Sequence, residues 1–265
     1  AQESVDLVSN CYLCECLDAL SKMAALLGRE EEAARYGERL QALRTRIGEE
    51  FYNPETARYA TGSQIDQIYP MLAGVTASEE VPKVTQRLFR ETRERLGGHI
   101  GCGLVGVTVL TDWAIREGQA DFVCSMLRKR DVPGYLAMID RGATTTWEHW
   151  AGDRSRIHNC FNGIGAWFVQ ALGGIRPDER DPGYRHILFR PQTPAGIRWV
   201  RATKETPYGT AAIDWEIAEG RFAADIVVPA NSTATFFLPD GVRTCELDGR
   251  TTETPDGRVA LAAGR

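Results

Sequence analysis

The hydrophobic period of this chain changes near residue 175, and that change constrains its fold more than any other feature. From residue 5 to about 172 apolar residues recur at helical spacing, as in Val5, Val8, Tyr12, Leu17, Leu20, Ala24, Leu27 and then Ala33, Tyr36, Leu40, Leu43, Ile47. Beyond it they alternate as in strands: Ile187/Phe189, Ile197/Trp199, Ile213/Trp215/Ile217, Phe222/Ile226/Val228, Thr235/Phe237. One segment cannot satisfy both periods, so the pattern predicts two domains, 1–175 helical and 176–265 built of strands. About seven helices joined by short loops bury their apolar stripes only helix on helix, as a bundle or as part of a helical toroid. Turn signals at Glu219-Gly220, Pro239-Asp240-Gly241, Asp248-Gly249 and Pro255-Asp256-Gly257 divide the second region into short strands, which predicts an antiparallel β-sandwich.

Within the helical region, Ala1 opens directly into helix, the first two helices meet at Gly28, and a third spans about 63–73 after the turn Asn53-Pro54-Glu55. The Thr76-x-x-Glu79 spacing suits a capping box with Pro82 in the first turn, placing the start of a fourth helix at Thr76. Two more helices are expected at about 104–117 and 119–129, and Ile157, Phe161, Ile164, Phe168 and Leu172 predict a last one that ends at Gly173-Gly174.

Charge and composition narrow the partners. Basic residues number 31 against 36 acidic, a formal charge of −5, and no window has the Lys/Arg density that neutralises several phosphates, so nucleic acid is not an expected partner. The longest apolar stretches, such as Ile164 to Leu172, fall far short of the roughly 20 residues a bilayer span requires, so no membrane partner is expected either. The seven cysteines are an odd number scattered over the chain, which reads as free thiols rather than a disulfide framework. With neither an initiator Met nor a basic, apolar leader, the sequence gives no compartment, and it reads as a piece of a longer chain.

Several motifs compete for function. Gly101-Cys102-Gly103-Leu104-Val105-Gly106 satisfies G-x-G-x-x-G, but a dinucleotide site needs a buried strand before it, and Arg90 to Leu96 is a charged amphipathic helix pattern; a tight interhelical loop is the better reading, and no cofactor is expected. Cys11-x-x-Cys14-x-Cys16 has no second Cys or His pair to complete four zinc ligands, so small packed residues explain it and no metal is expected. Gly142-Ala143-Thr144-Thr145-Thr146-Trp147-Glu148-His149-Trp150 is different, because it sets a carboxylate between two indoles after a run of hydroxyls. Indole faces stack on sugar rings, and a carboxylate fenced by aromatics is driven by desolvation toward the protonation range useful in catalysis. The competing reading is a capped helix start with two core tryptophans and an exposed Glu. His158, ten residues beyond Glu148, is either a ligand-binding imidazole or a satisfied structural one.

These segments resemble bacterial α-L-rhamnosidases of glycoside hydrolase family 78. The resemblance runs over essentially the whole chain: Thr61-Gly62-Ser63-Gln64, Gly97 to Gly106, Gly142 to Trp150, His158 to Trp167, Gly173-Gly174-Ile175, Gly183 to Ile187, Thr206 to Gly209 and Val228 to Asn231. It implies the later part of an (α/α)6 catalytic toroid, about seven of its twelve helices, followed by the C-terminal β-sandwich. It implies further that Glu148 is the general base of an inverting hydrolysis, that His158 approaches the rhamnose, that Trp147 and Trp150 line the sugar pocket, and that the loop 97–106 is a pocket wall. An inverting glycosidase needs two carboxyl groups roughly 6.5–9.5 Å apart. The family's general acid lies in an acidic motif upstream of the region matched here, and the stretch from Trp150 to His158 is shorter than in many relatives. Asp112, Asp140 and Asp153 are the internal carboxyls that could stand in for the acid. The expected ligand is a rhamnose-containing glycoside, and the expected partner, covering open helix faces, is the missing N-terminal part or a second copy. The alternatives are another (α/α)6 glycosidase and a non-catalytic carbohydrate-binding fragment.

Overall fold

The computed structural model describes residues 3–239 and 241–264; Ala1, and Asp240 of the expected turn 239–241, lie outside the described residues. The chain divides into two compact units, residues 1–116 with 122–163, and residues 117–121 with 164–265.

In the first unit, α1 (Val5–Leu26) and α2 (Glu30–Phe51) form a helical hairpin that turns at Gly28. Ser4 caps α1 by accepting the Leu7 N–H, and the buried stripe of α1 is Leu7, Cys11, Cys14, Leu17 and Ala24. Cys11 and Cys14 are thus core residues, and burial pushes both thiols above their ordinary range. The opposite side of α1 leaves Val5, Tyr12, Met23, Leu26 and Leu27 exposed. A short hairpin of β1 (Tyr52–Asn53) and β2 (Arg58–Tyr59) leads into α3 (Gln64–Leu72), which is followed by α4 (Val81–Leu96), α5 (Leu104–Arg116), α6 (Ala120–Leu127) and α7 (Tyr135–Asp140).

Residues Gln64 to Pro70 of α3 are buried without interruption, polar ones included. Gln64 Nε2 donates to Thr92 Oγ1 (2.9 Å) and His99 O (3.1 Å), while its Oε1 accepts the Gly101 N–H at 2.6 Å. Asp66 accepts the Ser4 N–H on one carboxylate oxygen, and the Thr61 N–H and hydroxyl on the other. Gln67 accepts the Tyr59 N–H (2.7 Å) and donates to Ala57 O (3.1 Å). Three side chains of one helix therefore satisfy groups of the β1–β2 hairpin and the loop after it, the 99–101 loop and the start of α1. Buried polar groups are tolerated on this condition.

The helical expectations hold for α1, α2, α3, α5 and α6 to within a few residues. The fourth helix starts later than the capping-box reading places it. Its first residue is Val81, with Pro82 in the first turn as expected and Glu80 at the cap, because the Thr76 hydroxyl is bonded to Tyr59 OH (3.1 Å) instead. The expected helix from 157 is also shorter: α8 covers Gly163–Trp167 and continues as a π-helical turn, Phe168–Leu172. The six-residue α7 has no counterpart in the sequence reading.

The second unit carries β3 (Ile175–Pro177), β4 (His186–Phe189), β5 (Trp199–Thr206), β6 (Gly209–Ala218), β7 (Arg221–Val227), β8 (Thr233–Phe237), β9 (Thr244–Leu247), β10 (Arg250–Glu253) and β11 (Arg258–Leu261). Their orders are β11-β8-β4-β3, β5-β6-β7 and β10-β9, with every pair antiparallel except the parallel pair β4/β8. The core contains Ile187, Phe189, Ile213, Trp215 and Val228, which alternate in the sequence as expected, but two members of the pattern fail: β8 turns Ala234 and Phe236 inward in place of Thr235 and Phe237, and Trp199 is 65% exposed on β5. Trp215 is fully buried and donates its indole N–H to Leu172 O at 2.8 Å.

Replacing Gln64 with the near-isosteric Leu strands the Gly101 N–H and the His99 carbonyl without their partner. The expected cost is on the order of 3 kcal/mol in urea unfolding of the chain, well above that of an exposed Gln→Leu change.

Candidate active site

The Thr144–Trp150 segment is neither strand nor helix. It forms one arm of an irregular hairpin that returns through residues 155–162. Two sets of bonds define the hairpin. The His158 N–H donates to Thr146 O (3.0 Å) and the Thr146 hydroxyl donates to His158 O (2.5 Å); the Glu148 N–H donates to Ser155 O (2.9 Å) and the Ser155 N–H reaches Glu148 Oε2 at 3.3 Å. Thr146 Oγ1 also lies 2.6 Å from Asn162 Oδ1. Glu148 and His158, ten residues apart in sequence, thus sit one rung apart in space. Both are half-buried.

The two indoles are held differently. Trp147 is only 2% exposed, with the guanidinium groups of Arg141 and Arg156 stacked over it at 5.7 and 5.1 Å from the ring centroid. Beneath it runs Gly152, whose φ of +69° and close approach both require glycine: a Cβ there would come within 2.5 Å of the Trp147 ring. Trp150 is half-buried, stacked on Phe161 at 3.8 Å between centroids, and met edge-on by Tyr135 at 5.2 Å; the Tyr135 hydroxyl donates to Phe161 O at 2.7 Å. Trp147 therefore anchors the hairpin from below, while Trp150 is braced upright by two aromatics.

Three features escaped the sequence reading. His149 Nδ1 lies 2.5 Å from Asp153 Oδ1, and that hydrogen bond holds the Asp153 carboxyl below its ordinary range. Their i,i+4 spacing was the available signal. Cys160 Sγ lies 2.8 Å from His158 Nδ1, a contact that His-x-Cys adjacency could have suggested. Third, a cavity of about 520 Å³ is lined by Tyr12, Glu15, Tyr69, Asp112, Asn159 and Cys160, among others. These residues come from three helices and the hairpin, and no local pattern joins them. Tyr69 OH donates to Glu15 Oε2 at 2.8 Å in its wall.

The internal carboxyls considered as substitute acids have separate environments. Asp140 is engaged by Arg130 at 2.6 and 2.8 Å, and Asp153 by His149. Asp112 faces the cavity, and burial pushes its carboxyl above the ordinary range against the pull of the Arg116 guanidinium. Among the described residues no group of three or more His, Cys, Asp or Glu could hold a metal ion. The loop 97–103 follows helix α4, and its Gly101 N–H is spent on Gln64.

A helical unit that carries an irregular hairpin with a carboxylate is followed by a strand unit, and the comparisons match both. Residues 1–172 match the family described as bacterial alpha-L-rhamnosidase 6 hairpin glycosidase domain, and residues 174–253 match the bacterial alpha-L-rhamnosidase C-terminal domain. The chain belongs to the bacterial alpha-L-rhamnosidase family. An alpha-L-rhamnosidase of Formosa agariphila is 26% identical over 247 residues, covering 89% of this chain and 26% of the relative; one of Streptomyces avermitilis is 27% identical over 252 residues, covering 88% and 23%. The chain thus spans about a quarter of the length of these relatives. The alpha-L-rhamnosidase structure from Dictyoglumus thermophilum superposes with a TM-score of 0.86 at 24% identity, over 96% of this chain and 30% of that one. The Streptomyces avermitilis enzyme complexed with L-rhamnose superposes with a TM-score of 0.84 at 23% identity, over 97% and 26%.

Two outcomes test this geometry. Gly152→Ala drives a methyl into the Trp147 ring and strains a left-handed residue, so hydrogen exchange in 146–158 is expected to accelerate while exchange in α1–α2 stays unchanged. Asp112 has a raised folded pKa, so as pH rises the unfolded chain ionises first and stability falls. Asp112→Asn removes that loss: its urea midpoint is expected above the native one at pH 7, with the difference vanishing below about pH 4.

Proposed function

We propose that this chain is the part of an inverting α-L-rhamnosidase that supplies the general base, and that Glu148 is that base. The observation that carries the reading is the hairpin itself, which sets Glu148 one rung from His158 and carries two indoles, Trp150 stacked on Phe161 and Trp147 buried. The substrate is a glycoside ending in α-L-rhamnose. Glu148 takes a proton from water as its oxygen attacks the anomeric carbon, while an acid on the opposite face protonates the departing oxygen. His158 and Trp150 bind the sugar, the imidazole by hydrogen bonding and the indole by stacking, whereas Trp147, expected to line the pocket, is buried and supports the hairpin instead. The acid is supplied by a segment outside the 265 residues: Asp140 is paired with Arg130 and Asp153 is hydrogen-bonded to His149, and Asp112, whose carboxyl burial holds above its ordinary range, is the internal alternative. That segment, or a second copy of the chain, covers the apolar side of α1. The domain boundary of this reading falls near residue 175.

The test is hydrolysis of an aryl α-L-rhamnoside, with the anomer of the released sugar followed by NMR, in the 265-residue chain and in the chain extended upstream. Turnover in the extended protein with inversion, reduced by on the order of 10² to 10⁴ in kcat by Glu148→Gln with KM little changed, supports the reading. Retention of configuration, or full activity in Glu148→Gln, overturns it. Rhamnose binding without turnover in either protein would leave a carbohydrate-binding role instead.

A further inference from the structure

The cysteines separate by environment. Cys11, Cys14, Cys102 and Cys124 are buried, whereas Cys16, Cys160 and Cys245 are half-buried. The chain has four histidines, and three are committed elsewhere: His99 to Pro133 O and Asp131, His149 to Asp153, and His186 to Thr233 and Thr235. The fourth, His158, has its Nδ1 2.8 Å from Cys160 Sγ. The same nitrogen accepts the Cys160 backbone N–H at 3.2 Å, so its lone pair is turned toward Cys160. A ring nitrogen with a lone pair at bonding distance from a thiol is the arrangement that base activation of cysteine requires. Cys160 also lines the 520 Å³ cavity, beside Asn159 and Asn162, so there is space next to the sulfur for an incoming reagent.

We propose that Cys160 is a thiol-modification site, activated by His158, which takes up a low-molecular-weight disulfide by thiol–disulfide exchange at the wall of this cavity. The Cys160 S–H proton passes to His158 Nδ1, and the thiolate attacks one sulfur of the disulfide. A new S–S bond joins Cys160 to that half while the old S–S bond breaks, and the departing thiolate recovers the proton from the imidazolium. Cys160 is oxidised to a mixed disulfide, and the other half of the reagent is reduced to a free thiol. The modified side chain then occupies the cavity and engages the imidazole that the sugar would otherwise meet. The exchange itself does not depend on the hydrolytic reading, because it is followed by mass rather than by activity.

The experiment incubates the 265-residue chain with excess oxidised glutathione at neutral pH, quenches with acid at intervals, and measures each cysteine's mixed disulfide by peptide mass spectrometry. Cys160 is expected to react on the order of tenfold faster than Cys16 and Cys245, and His158→Gln is expected to bring it down to their rates. Unlabelled Cys11 and Cys14 in the same samples report that the variant is folded. A Cys160 rate no higher than that of Cys16 and Cys245 in the unaltered chain overturns the proposal, and this comparison stands whether or not the variant folds. An unchanged Cys160 rate in folded His158→Gln overturns it as well.

Discussion

The helical unit depends on a row of polar side chains that never reach water. Gln64, Asp66 and Gln67 lie on one buried helix and close the hydrogen bonds of a strand hairpin, a glycine loop and the first residues of α1. Loops normally lie on the surface because water satisfies their backbones, and here α3 replaces that water. Each bond is modest while made and expensive when lost, so the arrangement specifies loop positions more strongly than it adds stability. Tyr69 extends the same helix into the cavity wall by donating to Glu15, which links the buried polar row to the hollow that Asp112 and Cys160 share.

The candidate site illustrates the complementary solution. Its carboxylate and imidazole sit on irregular chain, yet each residue is pinned by one backbone bond and one bond that a side chain completes, and an indole under two guanidinium groups forms the base. Loops that carry chemistry need this kind of support, since a functional group displaced by an ångström loses much of its effect. Local side chains supply the support: Arg141, Arg156, Gly152 and Phe161 all lie within about twenty residues of Glu148.

Much of the architecture was legible because period reports directly on burial. Leu7, Cys11, Cys14 and Leu17 on α1, and Ile213 and Trp215 on β6, face their cores as their spacing requires. The failures share a cause. The Thr76 capping box was plausible locally, but the hydroxyl found a tertiary partner in Tyr59. Phe161 fits a helical stripe from 157, yet it serves as the ring against which Trp150 stacks, and the helix begins after it. The parallel pairing of β4 with β8 left no trace, because alternation encodes which face is buried and not which way the neighbour runs. At the site, the segment Trp147-Glu148-His149-Trp150 stood out by residue type, but sequence could not tell an anchoring indole from a braced one. That difference is made by Arg141, Gly152 and Tyr135.

The hairpin also separates position from length. The rungs at Thr146/His158 and Glu148/Ser155 set where Glu148 and His158 stand, while the tip from Trp150 to Arg154 is closed by the Gly152 N–H on His149 O and by the His149–Asp153 pair. Residues added to or removed from such a tip change loop entropy only slowly and leave the rungs in register. Homologous enzymes can therefore carry tips of different length above the same pair of rungs. The tip is then free to diverge in length and sequence while the rungs beneath it stay as they are.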